Sequence, residues 1–242
     1  MNARQSAAFG VHLLTASGIV FLLLALREII RLDTRPALVF VWFIAATIVD
    51  AIDGPLARKF EVKRYAPDID GRTIDDIVDY IGFTLLPLLL AWDMKWLPGL
   101  GFGFVLISIG AMTSLLGFAH QHAKDEAGGF FRGFPSYWNL VVFYLGISAA
   151  LLPTVGPWIN AVVVLGLSVL TVLPVWFIYP NLAPPRLKPA ILFGSYAWAL
   201  LLVMMLPFYP AVPTWLVLIS LVYPAFYIVA SVNERHRWPA ST

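Results

Sequence analysis

Cysteine is absent from this chain of 242 residues, and charge is scarce, with Asp, Glu, Lys and Arg making up 12%. Without a thiol there is no disulfide framework, no cysteine nucleophile and no cysteine metal site. An average soluble domain carries about 25% charged residues. A chain that is 60% hydrophobic, with a mean hydropathy of +0.82, has too little polar surface to clothe a water-soluble body of this size. A soluble globular enzyme and a disordered chain are both excluded. The net charge of +2 gives no ground for nucleic-acid binding, and none is expected. The composition is that of an integral membrane protein.

What is present is a series of apolar runs. A spanning helix needs roughly 20 predominantly apolar residues. Eight such segments are predicted at 9–31, 36–57, 74–92, 98–119, 135–153, 157–179, 188–208 and 212–231. The connections are short and carry helix breakers, among them Pro98-Gly99, Gly133-Phe134-Pro135 and Pro184-Pro185. Pro174 is expected to kink the sixth segment. The first segment ends in Arg27-Glu28 and Arg31 without a small-residue cleavage site, so it reads as an uncleaved span. The expected fold is all-α, a polytopic helical bundle with residues 1–242 forming a single membrane domain.

Lys and Arg sort unequally between the two sides. Arg4, Arg58, Lys59, Lys63, Arg64, Arg72, Lys124, Arg132, Arg186, Lys188, Arg235 and Arg237 fall on one side, and Arg27, Arg31, Arg35 and Lys95 on the other. The positive-inside rule then predicts that both termini are cytoplasmic.

Eight of the 14 acidic residues lie between positions 50 and 79. Several sit inside or at the edge of apolar runs, where an ionisable group is expensive and points to function. Asp50 and Asp53 are three apart at the cytoplasmic end of the second segment, with Gly54 and Ala57 on the same helical face. Gly71, Asp75, Asp79 and Gly82 share a face of the third segment, whereas Asp76 points about 100° away. Four unpaired carboxylates in one poorly solvated site would repel each other, and divalent cations resolve that conflict. Oxygen-only ligands suit magnesium, manganese or calcium, and a two-metal pair is a common device for moving phosphate groups. The plainer alternative, acids on a solvated loop, fits Glu61, Asp68, Asp70 and Asp76 better than the other four.

Written out, the stretch is Asp50-x2-Asp53-Gly54-x2-Ala57-Arg58-x12-Gly71-x3-Asp75-x3-Asp79. This resembles the signature of the CDP-alcohol phosphotransferases, membrane enzymes of phospholipid synthesis. The gap of twelve residues between Arg58 and Gly71 is longer than the family's usual one. It is similar to the bacterial branch that joins choline to CDP-diacylglycerol. Val11-His12-Leu13-Leu14-Thr15-Ala16-Ser17-Gly18 and Gly133-Phe134-Pro135-Ser136-Tyr137-Trp138-Asn139 resemble that branch too.

The resemblance implies that Asp50, Asp53, Asp75 and Asp79 bind two divalent metals, Mn2+ or Mg2+. It implies Asp79 as the base, and Gly54, Ala57, Arg58 and Gly71 around the cytidine nucleotide and its diphosphate. It also implies CDP-diacylglycerol and choline as substrates, a bacterial inner-membrane location with a cytoplasmic active site, and a homodimer.

His12 and Thr15 are read as contacts to a nucleotide or lipid phosphate, or as a helix–helix hydrogen bond. Arg132 and Lys188 could each steady CDP-diacylglycerol or anionic lipids. Asn139 is read as a substrate contact, and Trp176 and Tyr179 as interface anchors. His120, His122, Lys124, Asp125 and Glu126 read as a solvated loop.

A quaternary ammonium donates no strong hydrogen bond, so aromatic faces are the expected way to hold choline. Tyr80, Tyr137, Trp138, Trp176, Tyr179, Tyr223 and Tyr227 lie at a suitable level, and Tyr137 and Trp138 adjoin Asn139. Two rival readings stand beside this one. The first keeps the chemistry with inositol phosphate, glycerol phosphate or serine as acceptor. The second is a transporter that uses the intramembrane acids, although no repeat or second acid cluster accompanies them.

Overall fold

The structure is a computed structural model, described here for residues 2–120, 124–125 and 128–237. In chain order the helices are α1 (Ala3–Ile29), α2 (Pro36–Lys59), α3 (Val62–Tyr65), α4 (Gly71–Asp79), α5 (Leu86–Asp93), α6 (Leu100–Ala119), α7 (Trp138–Leu151), α8 (Gly156–Val172), α9 (Lys188–Met205) and α10 (Thr214–Arg237). A π-helical turn, Tyr80–Leu85, joins α4 to α5, so the chain is helical from Gly71 to Asp93. The fold is all-α, with a small antiparallel sheet of β1 (Lys124–Asp125), β2 (Phe130–Arg132) and β3 (Trp176–Ile178).

Among the described residues five helical stretches are long and apolar enough to cross a membrane: Ala3–Ile29, Pro36–Lys59, Leu100–Ala119, Lys188–Phe208 and Thr214–Arg235. Trp138–Leu151 and Gly156–Val172 are apolar but shorter.

Two departures from the sequence expectation have local causes. The segment expected at 157–179 stops as a helix at Val172, and Pro174 ends it instead of kinking it. A residue before proline is pushed out of the α region, and Leu173 is extended at ψ 149°. The chain beyond it forms β3. Lys124–Asp125, expected in a solvated loop, pairs with β2, while His122 and Glu126 lie outside the described residues.

The chain forms two compact units, Met1–Lys95 with Tyr137–Phe143, and Trp96–Ser136 with Tyr144–Thr242. In the first, α1 opens with a capping box in which Asn2 and Gln5 satisfy each other's backbone N–H. Its helices approach closely at glycines. A Cβ at Gly18 would stand 3.0 Å from Val78, and one at Gly82 would stand 3.0 Å from Leu22. The α1–α2 connection is held by Glu28, 5% exposed, which pairs with Arg35 at 2.9 Å and Arg31 at 3.8 Å. Arg31 also meets Asp33 at 3.2 Å, so two carboxylates balance two of the arginines expected on the outer side.

In the second unit, Gly133 takes φ +77°, and a Cβ there would run into the Thr171 carbonyl, so the turn before α7 requires glycine. The sheet docks on α10, where the Tyr227 hydroxyl donates to Ile178 O (2.6 Å) and Ile178 N donates to Ser231 Oγ (3.2 Å). The Arg235 guanidinium lies 4.8 Å from the Trp176 ring centre and 5.6 Å from that of Phe130. Trp176, read as an interface anchor, is thus a platform for a cation.

Candidate functional site

Three carboxylates meet in the first unit. Asp50 of α2 and Asp75 and Asp79 of α4 each offer an oxygen, and these oxygens all lie within 4.8 Å of one another. All three residues are half-buried. The arrangement follows from where α4 begins. Asp70 caps it, accepting from Arg72 N at 3.1 Å and from the Thr73 hydroxyl at 2.8 Å. The Thr73 hydroxyl, followed by the backbone N–H groups, holds the Asp70 carboxyl below its ordinary pKa. With the helix starting at Gly71, Asp75 and Asp79 fall one turn apart on one face. Asp76 is left outside this group, and its carboxylate pairs instead with Arg72 at 3.6 Å.

Asp53 stands apart from that group of three. It is 7% exposed, and its Oδ2 is buried with no hydrogen-bond partner among the described residues. A carboxylate oxygen left dry and unpaired is costly unless a proton or a cation meets it. The donor set is oxygen-only, which fits a hard divalent ion such as Mg2+ or Mn2+. α2 runs through Pro55, which has no N–H to offer the carbonyl of Ala51, between the two aspartates.

Arg58 lies back over Gly54, its Nη1 3.7 Å from where a Cβ at 54 would be. Ala57, by contrast, packs on the cluster of Ala8, Val11 and Val62. Gly71 faces His12: a Cβ at 71 would stand 2.8 Å from the imidazole Cε1 and 3.0 Å from Nδ1. His12 is 5% exposed, and its Nε2 is buried without a partner among the described residues. Thr15 turns its hydroxyl to Val11 O at 3.3 Å, within its own helix.

Tyr137 is exposed and meets Phe83 edge to face, with ring centres 5.9 Å apart at 82°. Trp138 has no exposed surface. Asn139 Oδ1 accepts from Leu140 N at 3.0 Å. Arg132 belongs to the second unit, where its Nη1 lies 2.8 Å from His120 Nε2. The sequence reading passes over two residues that the structure brings to Asp79. Phe43 and Phe83 line a narrow cleft together with it. Both had a signal in spacing, since Phe43 precedes Asp50 by seven residues and Phe83 follows Asp79 by four.

Comparison with known proteins agrees with this constellation. The family model described as CDP-alcohol phosphatidyltransferase matches residues 11–173, and the chain belongs to that family. Among its relatives is a phosphatidylcholine synthase of Mesorhizobium japonicum, 36% identical over 80% of this chain and 69% of that protein. A phosphatidylcholine synthase of Rhizobium johnstonii is 33% identical over 95% of this chain and 91% of that one. One from Pseudomonas aeruginosa is 34% identical over 73% and 70%.

Proposed function

We propose that this chain transfers the phosphatidyl group of CDP-diacylglycerol to choline and releases CMP. The observation that carries the reading is the convergence of Asp50, Asp75 and Asp79 within 4.8 Å, in a chain similar to enzymes named phosphatidylcholine synthase.

In this reading the choline oxygen attacks the lipid-side phosphorus, the bond to the cytidylyl phosphate oxygen breaks, and CMP departs. Asp79 takes the hydroxyl proton on a carboxylate oxygen. Two Mn2+ or Mg2+ ions held by Asp50, Asp53, Asp75 and Asp79 would neutralise the diphosphate and the charge that develops on the leaving group. The dry Oδ2 of Asp53 supports its place in that set. Arg58 offers a planar donor fork to the phosphates beside Gly54. Gly71 leaves the room that the His12 imidazole fills on the nucleotide's side of the site, and in this reading the ring's buried Nε2 donates to a phosphate oxygen.

We also infer eight spans, both termini and the site on the cytoplasmic side of a bacterial inner membrane, and a homodimer. The family match runs through residues of both units, which supports reading 1–242 as one membrane domain. The test is choline-dependent release of labelled CMP from CDP-diacylglycerol by purified protein, abolished by a chelator and restored by Mn2+. Absence of CMP under those conditions refutes the reading.

A further inference from the structure

The cleft beside Asp79 has an unusual lining. Phe43, Thr47, Val78, Asp79, Gly82 and Phe83 surround it. α2 supplies Phe43 and Thr47, which continue the Asp50 face toward the middle of the helix. Val78, Asp79, Gly82 and Phe83 come from α4 and the π-helical turn that follows it. Such wide turns recur at functional sites, and this one sets the Phe83 ring directly past the carboxylate.

The chemistry of the walls is selective. Among the described residues no lysine or arginine lines the cleft. Its one hydroxyl, that of Thr47, donates to Phe43 O at 2.9 Å, within its own helix. The remaining lining is aliphatic or aromatic, with a single carboxylate at its edge. Apart from the metals that Asp79 would help to hold, phosphate-bearing acceptors and serine's carboxylate would meet no cationic side chain and no available donor along these walls. A group that is cationic, apolar on its surface and unable to donate a strong hydrogen bond matches every wall.

We propose that this cleft holds the trimethylammonium head of choline, with the ring faces of Phe43 and Phe83 as its cation–π partners. Tyr137, edge to face with Phe83, braces that ring. The assignment rests on the transferase reading above and deepens it. It makes Phe43 and Phe83 the acceptor-selecting residues, in place of Trp138, whose rings are wholly covered. The head, once seated, lies beside Asp79, with its hydroxyl two carbons away and directed to the acids. The cleft is narrow, so seating the head requires the side chains that line it to move apart.

The test is steady-state kinetics on purified full-length protein. Phe83→Leu and Phe43→Leu should each raise the choline KM by about ten-fold, the loss expected for one desolvated cation–π face, and leave the CDP-diacylglycerol KM within about two-fold. The wild type should strongly prefer choline to 3,3-dimethylbutan-1-ol, its neutral isostere, and Phe83→Leu should shrink that preference. Should Phe83→Leu fail to fold, a fluorinated phenylalanine at position 83 keeps the shape and weakens the ring's field, and it should raise the choline KM alone. Unchanged choline KM in variants that still release CMP would overturn the cleft assignment and leave the transferase reading standing. Equal shifts in both KM values, or a change in kcat alone, would make the rings structural and overturn it too. No choline-dependent CMP release by the wild type would refute the transferase reading itself.

Discussion

His12 and Gly71 are fitted to each other: the imidazole of one occupies the space a side chain on the other would need, at 2.8 Å from Cε1. The ring is buried and has little room to retreat. Gly71→Ala should therefore destabilise the first unit by about 1–3 kcal/mol, as overpacking does. Adding His12→Ala to Gly71→Ala should restore most of that loss. Thermal stability in detergent measures both changes. Full stability of Gly71→Ala alone would show the contact to be slack.

The helical phase of α4 separates two neighbouring acids. Asp79 joins Asp50 and Asp75, while Asp76 pairs with Arg72 at the surface. Asp79→Asn should lower kcat by about a hundred-fold or more, with the protein still folded, because the change keeps shape and removes the proposed base. Asp50→Asn and Asp75→Asn should fall in the same range. Asp76→Asn should change activity by about two-fold at most, since an exposed ion pair contributes little. CMP release measures all four, and equal losses at 76 and 79 would refute the shared-face argument.

Much of this site is legible in the sequence because helical periodicity carries it. The Asp75 and Asp79 pair and the exclusion of Asp76 follow from spacing on α4, whereas Asp53, expected on one face with Asp50, stands apart from the three that converge. The helix phase is then fixed by a cap, Asp70, whose role is local. Other features are not local. Pro174 ends α8 locally, but the strand that follows depends on β3 finding β2 and α10, and those pairings are set by tertiary packing. Thr15 lies on the expected face, yet its hydroxyl prefers its own helix's carbonyl, a competition that spacing does not decide. Phe43 and Phe83 are legible in phase but look like ordinary membrane-helix residues until the cleft between them is seen.

Asn160 ties three segments of the second unit. It is 1% exposed, and its amide donates to Trp96 O at 2.8 Å and Leu145 O at 2.9 Å. Asn160→Ala should lower stability by about 1–2 kcal/mol, the scale of two such bonds between apolar helices. The melting temperature in detergent should drop by several degrees, with kcat of the folded enzyme near wild type. An unchanged melting temperature would show that the two bonds add nothing.

The absence of cysteine makes topology directly testable. Single cysteines placed by Lys63→Cys and Pro157→Cys should label from opposite sides of the membrane, position 63 from the cytoplasm. Labelling of position 63 from the outside alone would invert the proposed orientation and remove the site from its nucleotide.

The central claim is phosphatidyl transfer to choline, and the fate of the lipid-side phosphorus tests it most directly. CDP-diacylglycerol labelled at that phosphorus should be incubated with purified protein, choline and Mn2+, with Asp79→Asn as the control. All of the transferred label should appear in a lipid that also contains choline, with unlabelled CMP formed in equal amount and no transfer by the variant. Label in the water-soluble fraction, or transfer to serine, inositol phosphate or glycerol phosphate in preference to choline, would contradict it.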